Sequence, residues 1–140
     1  MDTNNIGKYI NPLLAQGTFV MCVLPSKESE NAKSVTAEME FFKNEYSILD
    51  LKIKFTNSVS TIVKMDFCMD GDKNLLSMFY KNTPKEETDT YKAHYGHLLI
   101  ELPKTELHYP LNGSYTNHDR DTKGKVQIYK KESDILRTCN

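Results

Sequence analysis

Tryptophan is absent from this chain of 140 residues, and cysteine occurs only three times. Cys22, Cys68 and Cys139 are odd in number and far apart, with no CxxC pair. That spacing argues against a disulfide framework and a cysteine-built zinc site, so free thiols in a reducing compartment are expected. Long apolar runs are missing as well. The longest, Phe19 to Leu24, is far short of the about 20 residues that a membrane-spanning helix needs. Met1-Asp2-Thr3-Asn4-Asn5 has none of the sectors of a signal peptide. A cytoplasmic chain that does not itself insert into a membrane is the expectation. Charge of one sign is lacking too: 18 basic and 19 acidic residues leave a net charge of -1. No global field then steers the chain onto long nucleic acid or an anionic membrane.

Catalytic signatures are equally scarce. No GxSxG elbow, P-loop, dinucleotide fingerprint or HExxH occurs, so a non-enzyme without cofactor is expected. An enzyme would need a base or metal constellation that the sequence does not display. His94 and His97 are three apart, which on a strand puts them on opposite faces. With His108 and His118 they read as ordinary histidines, and no metal site is expected. Glu86-Glu87 sits in a hydrophilic stretch and reads as solvated surface.

Alternation of period two dominates what is present. In Leu49-Asp50-Leu51-Lys52-Ile53-Lys54-Phe55 every odd residue is apolar and every even one charged, the pattern of a half-buried strand. The next segment puts Val59, Thr61, Val63, Met65, Phe67 and Met69 on one side. Ser60, Lys64 and Asp66 fall on the other, with Ile62 breaking the rule. Thr56-Asn57-Ser58 reads as a short turn, and Asp70-Gly71 carries the dipeptide of a tight hairpin. Further strands are predicted at Leu14 to Leu24, Val35 to Phe42, Asn74 to Tyr80, His94 to Leu102, Thr105 to Thr116 and Lys123 to Lys131. Pro110 must fall at an edge, bulge or break. Two hydrophilic stretches, Pro25 to Ser34 and Pro84 to Lys92, are long enough for functional loops or short helices.

About eight short strands with polar turns specify an all-β domain, sandwich or barrel. A closed antiparallel up-and-down β-barrel of about eight strands is attractive, because closure removes exposed edges, though periodicity alone does not choose between barrel and sandwich. Residues 1–140 form one domain in this reading, with 1–12 and 132–140 as flexible ends.

Polar residues with ligand-binding chemistry gather in three places. Tyr115, Asn117, His118 and Arg120 cluster at a strand–turn–strand junction. There a ring can stack, an amide can meet a base edge and a guanidinium can hold phosphate. Thr56, Ser58, Ser60 and Thr61 offer hydroxyls that donate and accept. Tyr80-Lys81-Asn82-Thr83-Pro84 ends a strand with an aromatic, a cation and an amide. A polar hairpin loop, ordinary turn chemistry and strand termination by proline account for the same residues without a ligand.

The ordered set Tyr80-x-Asn82-x-Pro84, His94-x-Gly96, Gly113-x-Tyr115-Thr116, Arg120 and Gly124 resembles one family over roughly residues 40 to 130. It is the SMODS-associating two-transmembrane β-strand-rich effector family of bacterial anti-phage (CBASS) signalling. The resemblance implies an eight-stranded β-barrel that senses a cyclic dinucleotide second messenger made by a partner nucleotidyltransferase. Ligand-driven oligomerisation then activates membrane disruption by two helices that this chain lacks. It also implies ligand contacts from Tyr115, Thr116 and Arg120, then Tyr80, Asn82 and His94. Combined with the residue reading, the expected ligand set is Thr56, Ser58, Tyr80, Asn82, His94, Tyr115, Thr116, Asn117 and Arg120, with Lys123 or Lys125 assisting on charge alone. The family's aromatic in the third strand would be Tyr46. An inner-membrane location, on the cytoplasmic face, follows if the native chain carries the helices. The alternatives are a soluble barrel that sequesters the messenger, as a phage sponge would, a lipocalin-like small-molecule carrier, or an adhesive β-sandwich.

Overall fold

A computed structural model describes residues 17–26, 34–88, 92–103, 108–118 and 122–131. They form eight strands: β1 (Thr18–Pro25), β2 (Val35–Lys43), β3 (Leu49–Lys54), β4 (Ser58–Asp70), β5 (Lys73–Pro84), β6 (His94–Leu102), β7 (Leu111–Asn117) and β8 (Thr122–Lys130). Every strand pairs antiparallel with its neighbour in sequence, and β1 pairs with β8 to close the barrel. The all-β fold expected from alternation is present, and it is the up-and-down β-barrel. No helix occurs among the described residues, so none there is long and apolar enough to cross a membrane. The expected flexible ends, and Leu14 at the expected start of β1, lie outside the described residues.

Turn chemistry sets the registers. Gly71 takes a φ of +60° in the two-residue β4–β5 turn, a conformation that costs glycine little. Phe55 N donates to Ser58 O at 2.9 Å, closing the β3–β4 turn around Thr56 and Asn57. Tyr109-Pro110 is a cis peptide immediately before β7, so the proline falls at a break and the strand starts at Leu111. Tyr46 lies in the β2–β3 turn and is exposed, not in the third strand.

One residue in β4 changes which side chains face inward. Ile62 pairs with Tyr80 and Lys64 with Phe79, leaving Val63 as an extra residue in a β-bulge. Before the bulge the even positions Ser58 and Ser60 face inward and are buried. After it the odd positions Met65 and Phe67 pack against the core instead. The expectation that Ser60 shares the outer face with Lys64 and Asp66 is therefore corrected. Ile62, which broke the alternation, marks the change of phase.

Inward residues from all eight strands build the core, with Phe19, Met39, Met78, Leu98 and Ile128 almost fully enclosed. In β1, Val20 and Cys22 are buried on the other face as well. Cys22 is disulfide-bonded, while Cys68 is free. This corrects the expectation of free thiols at Cys22. Separation in sequence says little about a bond that requires proximity in space. Cysteine usage consequently gives no support to a reducing compartment.

Candidate functional site

At one end the barrel opens into a chamber of about 340 Å³, lined from every strand. The odd-numbered strands end there and the even-numbered strands begin there, as the up-and-down order requires. Its floor is apolar, formed by Met21, Ile53, Leu98 and Val126. Above the floor runs a polar strip, positioned strand by strand.

One inward row is Ser60–Asn82–His94, with Ser60 opposite Asn82 and Asn82 opposite His94. Asn82 is buried at 5% exposure, and its Nδ2 donates to Ser58 Oγ at 3.0 Å and Ser60 Oγ at 2.9 Å. Its Oδ1 is buried with no hydrogen-bond partner among the described residues. The next row is Ile62–Tyr80–Gly96–Asn117–Thr122. Gly96 has no side chain, so the Tyr80 ring lies across it and the hydroxyl donates to Asn117 Oδ1. Asn117 Nδ2 in turn donates to Thr122 Oγ1 at 2.7 Å. Gly124 plays the same part for Tyr115, its partner in register, whose ring edge lies against the glycine. Two glycines thus provide flat places on the wall where two tyrosines lie down.

Burial, helped by the nearby Tyr115, pushes the Tyr80 phenol well above its ordinary pKa of 10.0. Burial pushes Tyr115 in the same direction. Both rings therefore stay neutral at physiological pH, and Tyr80 acts as a hydrogen-bond donor. A phenol with a raised folded-state pKa holds its proton more tightly folded than unfolded. Its stabilising contribution is complete below pH 10 and is lost as pH rises through the folded value. Melting curves should therefore weaken from about pH 10 upward, less steeply in Tyr80→Phe than in the parent. At neutral pH that variant should cost about 1–2 kcal/mol, because Asn117 Oδ1 loses its donor. Equal alkaline slopes would remove Tyr80 as the cause.

Of the residues expected to bind ligand, Thr56, Ser58 and Tyr80 line the chamber, as do Asn82, His94, Tyr115 and Asn117. Thr116 does not, because it alternates with Tyr115 and Asn117 and is exposed on the outer face. Lys123 and Lys125 are also exposed and outward, alternating with Gly124 and Val126, so they do not line the chamber. Arg120 lies outside the described residues. Ser60, named among the junction hydroxyls, lines the chamber too, and Gly96 and Gly124, against which the two rings lie, are the further contributors. The Ile62 irregularity signalled Ser60, and the Tyr–Gly register pairs are visible only once strands are aligned.

His94 and His97 face opposite sides: His94 is buried inward and His97 exposed. His97 joins Phe79, Tyr95 and His118 in an outer ring cluster, with the two imidazole centroids 5.8 Å apart. Among the described residues, no three His, Cys, Asp or Glu side chains come together as metal ligands do. Comparison with family models, curated proteins and solved structures finds no match for this chain.

Proposed function

We propose that the barrel binds a cyclic dinucleotide second messenger in the mouth chamber and serves as the sensor of an anti-phage (CBASS) effector. The observation that carries this reading is the polar strip. Residues from β4, β5, β6 and β7 that bear base-recognising or stacking groups converge on one cavity. Asn and Ser groups meet base edges and hydroxyls, and aromatic faces stack on bases. The apolar floor accepts a planar heterocycle. A carrier of purely apolar cargo has no use for the strip, whose polar groups would be desolvated without return.

In this reading Tyr115 supplies the stacking face, since Tyr80 is tied to Asn117. Arg120 belongs to the β7–β8 connection, between Asn117 and Thr122, and supplies the cation for phosphate. Occupied barrels assemble into oligomers, and oligomers trigger membrane disruption by helices that are not among the described residues.

Calorimetric titration against a panel of cyclic di- and trinucleotides tests the reading, with micromolar or tighter binding of one of them expected. Arg120→Ala should weaken that ligand at least tenfold, since losing a charge-assisted contact costs about 2–5 kcal/mol. Full affinity in the variant removes Arg120 from the site. Sedimentation with and without ligand separates the two roles. Assembly on binding fits a sensor, whereas a barrel that binds and stays monomeric fits sequestration.

A further inference from the structure

The chamber is built for hydrogen bonding and not for charge. Its described lining includes no Asp, Glu, Lys or Arg, and its polarity comes from hydroxyl, amide and imidazole groups. A phosphodiester moved into such a space leaves water without gaining a fixed counter-ion, an unfavourable exchange. The portion of a nucleotide that enters is therefore its neutral portion. Size agrees: about 340 Å³ lies at the small end of the roughly 300–1,000 Å³ range of small-molecule sites. That suits one nucleoside unit better than two joined nucleotides.

Asn82 indicates which neutral chemistry fits. Its Nδ2 is committed to Ser58 and Ser60, and its carbonyl oxygen is buried without a partner among the described residues. A buried acceptor left unsatisfied is a standing penalty that an incoming N–H relieves. Each serine oxygen that accepts from Asn82 still has its own O–H to donate. One acceptor thus stands beside two donors, and a turn of the amide toward the chamber presents them together.

Building on the nucleotide-binding reading above, we propose that the ligand enters base first. A nucleobase edge with an N–H next to an acceptor seats on Asn82 Oδ1 and the Ser58 and Ser60 hydroxyls. The phosphodiester ring stays outside the chamber.

The test titrates the full chain with cyclic dinucleotides, with the neutral nucleosides adenosine, guanosine, cytidine and uridine, and with analogues N-methylated at the base edge. The nucleoside matching the best cyclic dinucleotide should bind measurably, with an affinity that salt does not change. Methylating the base N–H should weaken the cyclic dinucleotide at least tenfold in the unaltered protein. Asn82→Leu should remove that discrimination. The ligand-side methylation keeps the test valid even where the variant folds poorly. Equal binding of methylated and parent ligands overturns base-first entry while leaving nucleotide binding intact. Failure of every cyclic nucleotide to bind overturns the nucleotide reading itself, and base-first entry with it.

Discussion

Gly96→Val is expected to lower the melting temperature by roughly 10 °C and to weaken ligand binding at least tenfold in the same variant. A Cβ at position 96 falls within 3.0 Å of the Tyr80 phenol end and of the Thr116 backbone oxygen. The backbone oxygen belongs to the β6–β7 ladder and cannot retreat, so the Tyr80 ring must leave the wall. Leaving costs the bond to Asn117 and swings an aromatic ring into the chamber. Overpacking of this kind costs about 1–3 kcal/mol, and a β-branched side chain lies at the upper end. Thermal melting and calorimetry on the one variant read both effects. A variant that melts with the parent and binds as well would show that the ring does not depend on the bare glycine.

Phe19→Ala should give the opposite division: a larger loss of stability and an untouched chamber. Phe19 is 0% exposed, packs edge-on against Phe41 at 5.6 Å and lies 5.9 Å from the Tyr109 ring. It stands near the start of β1, at the end of the barrel away from the mouth, and does not line the chamber. Truncating an enclosed phenylalanine removes its burial and leaves a cavity, at a cost of about 3–5 kcal/mol. Denaturant unfolding should show that loss with an unchanged slope. At temperatures where the variant is folded, ligand affinity should match the parent. Lost affinity in the folded variant would mean that the two ends of the barrel are coupled, contrary to a chamber set by its local strip.

The strands were legible because each wets one face and buries the other, and period-two alternation records that in the residues themselves. Leu51 and Ile53 are buried while Lys52 and Lys54 are exposed, as the odd-even pattern requires. Closure was less legible, since β1–β8 pairing leaves no mark in periodicity. The bulge at Val63 was visible only as Ile62 out of phase. Without the extra residue Ser60 faces solvent, and with it Ser60 joins the chamber. Thr116 shows the converse, an outward residue in a motif whose neighbours face inward. A motif read as consecutive residues ignores that neighbours on a strand point to opposite sides, so Tyr115 and Thr116 cannot share one interior. Lys123 and Lys125 stand on the outer face for the same reason. Asn82, Tyr80 and Asn117 were legible as polar and aromatic residues near strand ends, but their connections were not readable. The Tyr80–Asn117 bond depends on registers that place Gly96 between them, across strands far apart in the chain.

Whether the mouth chamber holds a cyclic dinucleotide is tested most directly by one calorimetric series of the cyclic di- and trinucleotide panel on the parent chain and Gly96→Val. Saturable binding of one ligand at micromolar or tighter affinity is expected for the parent, with at least a tenfold loss in the variant. No binding by any member of the panel, or binding that Gly96→Val leaves unchanged, would contradict a cyclic-dinucleotide site in this chamber.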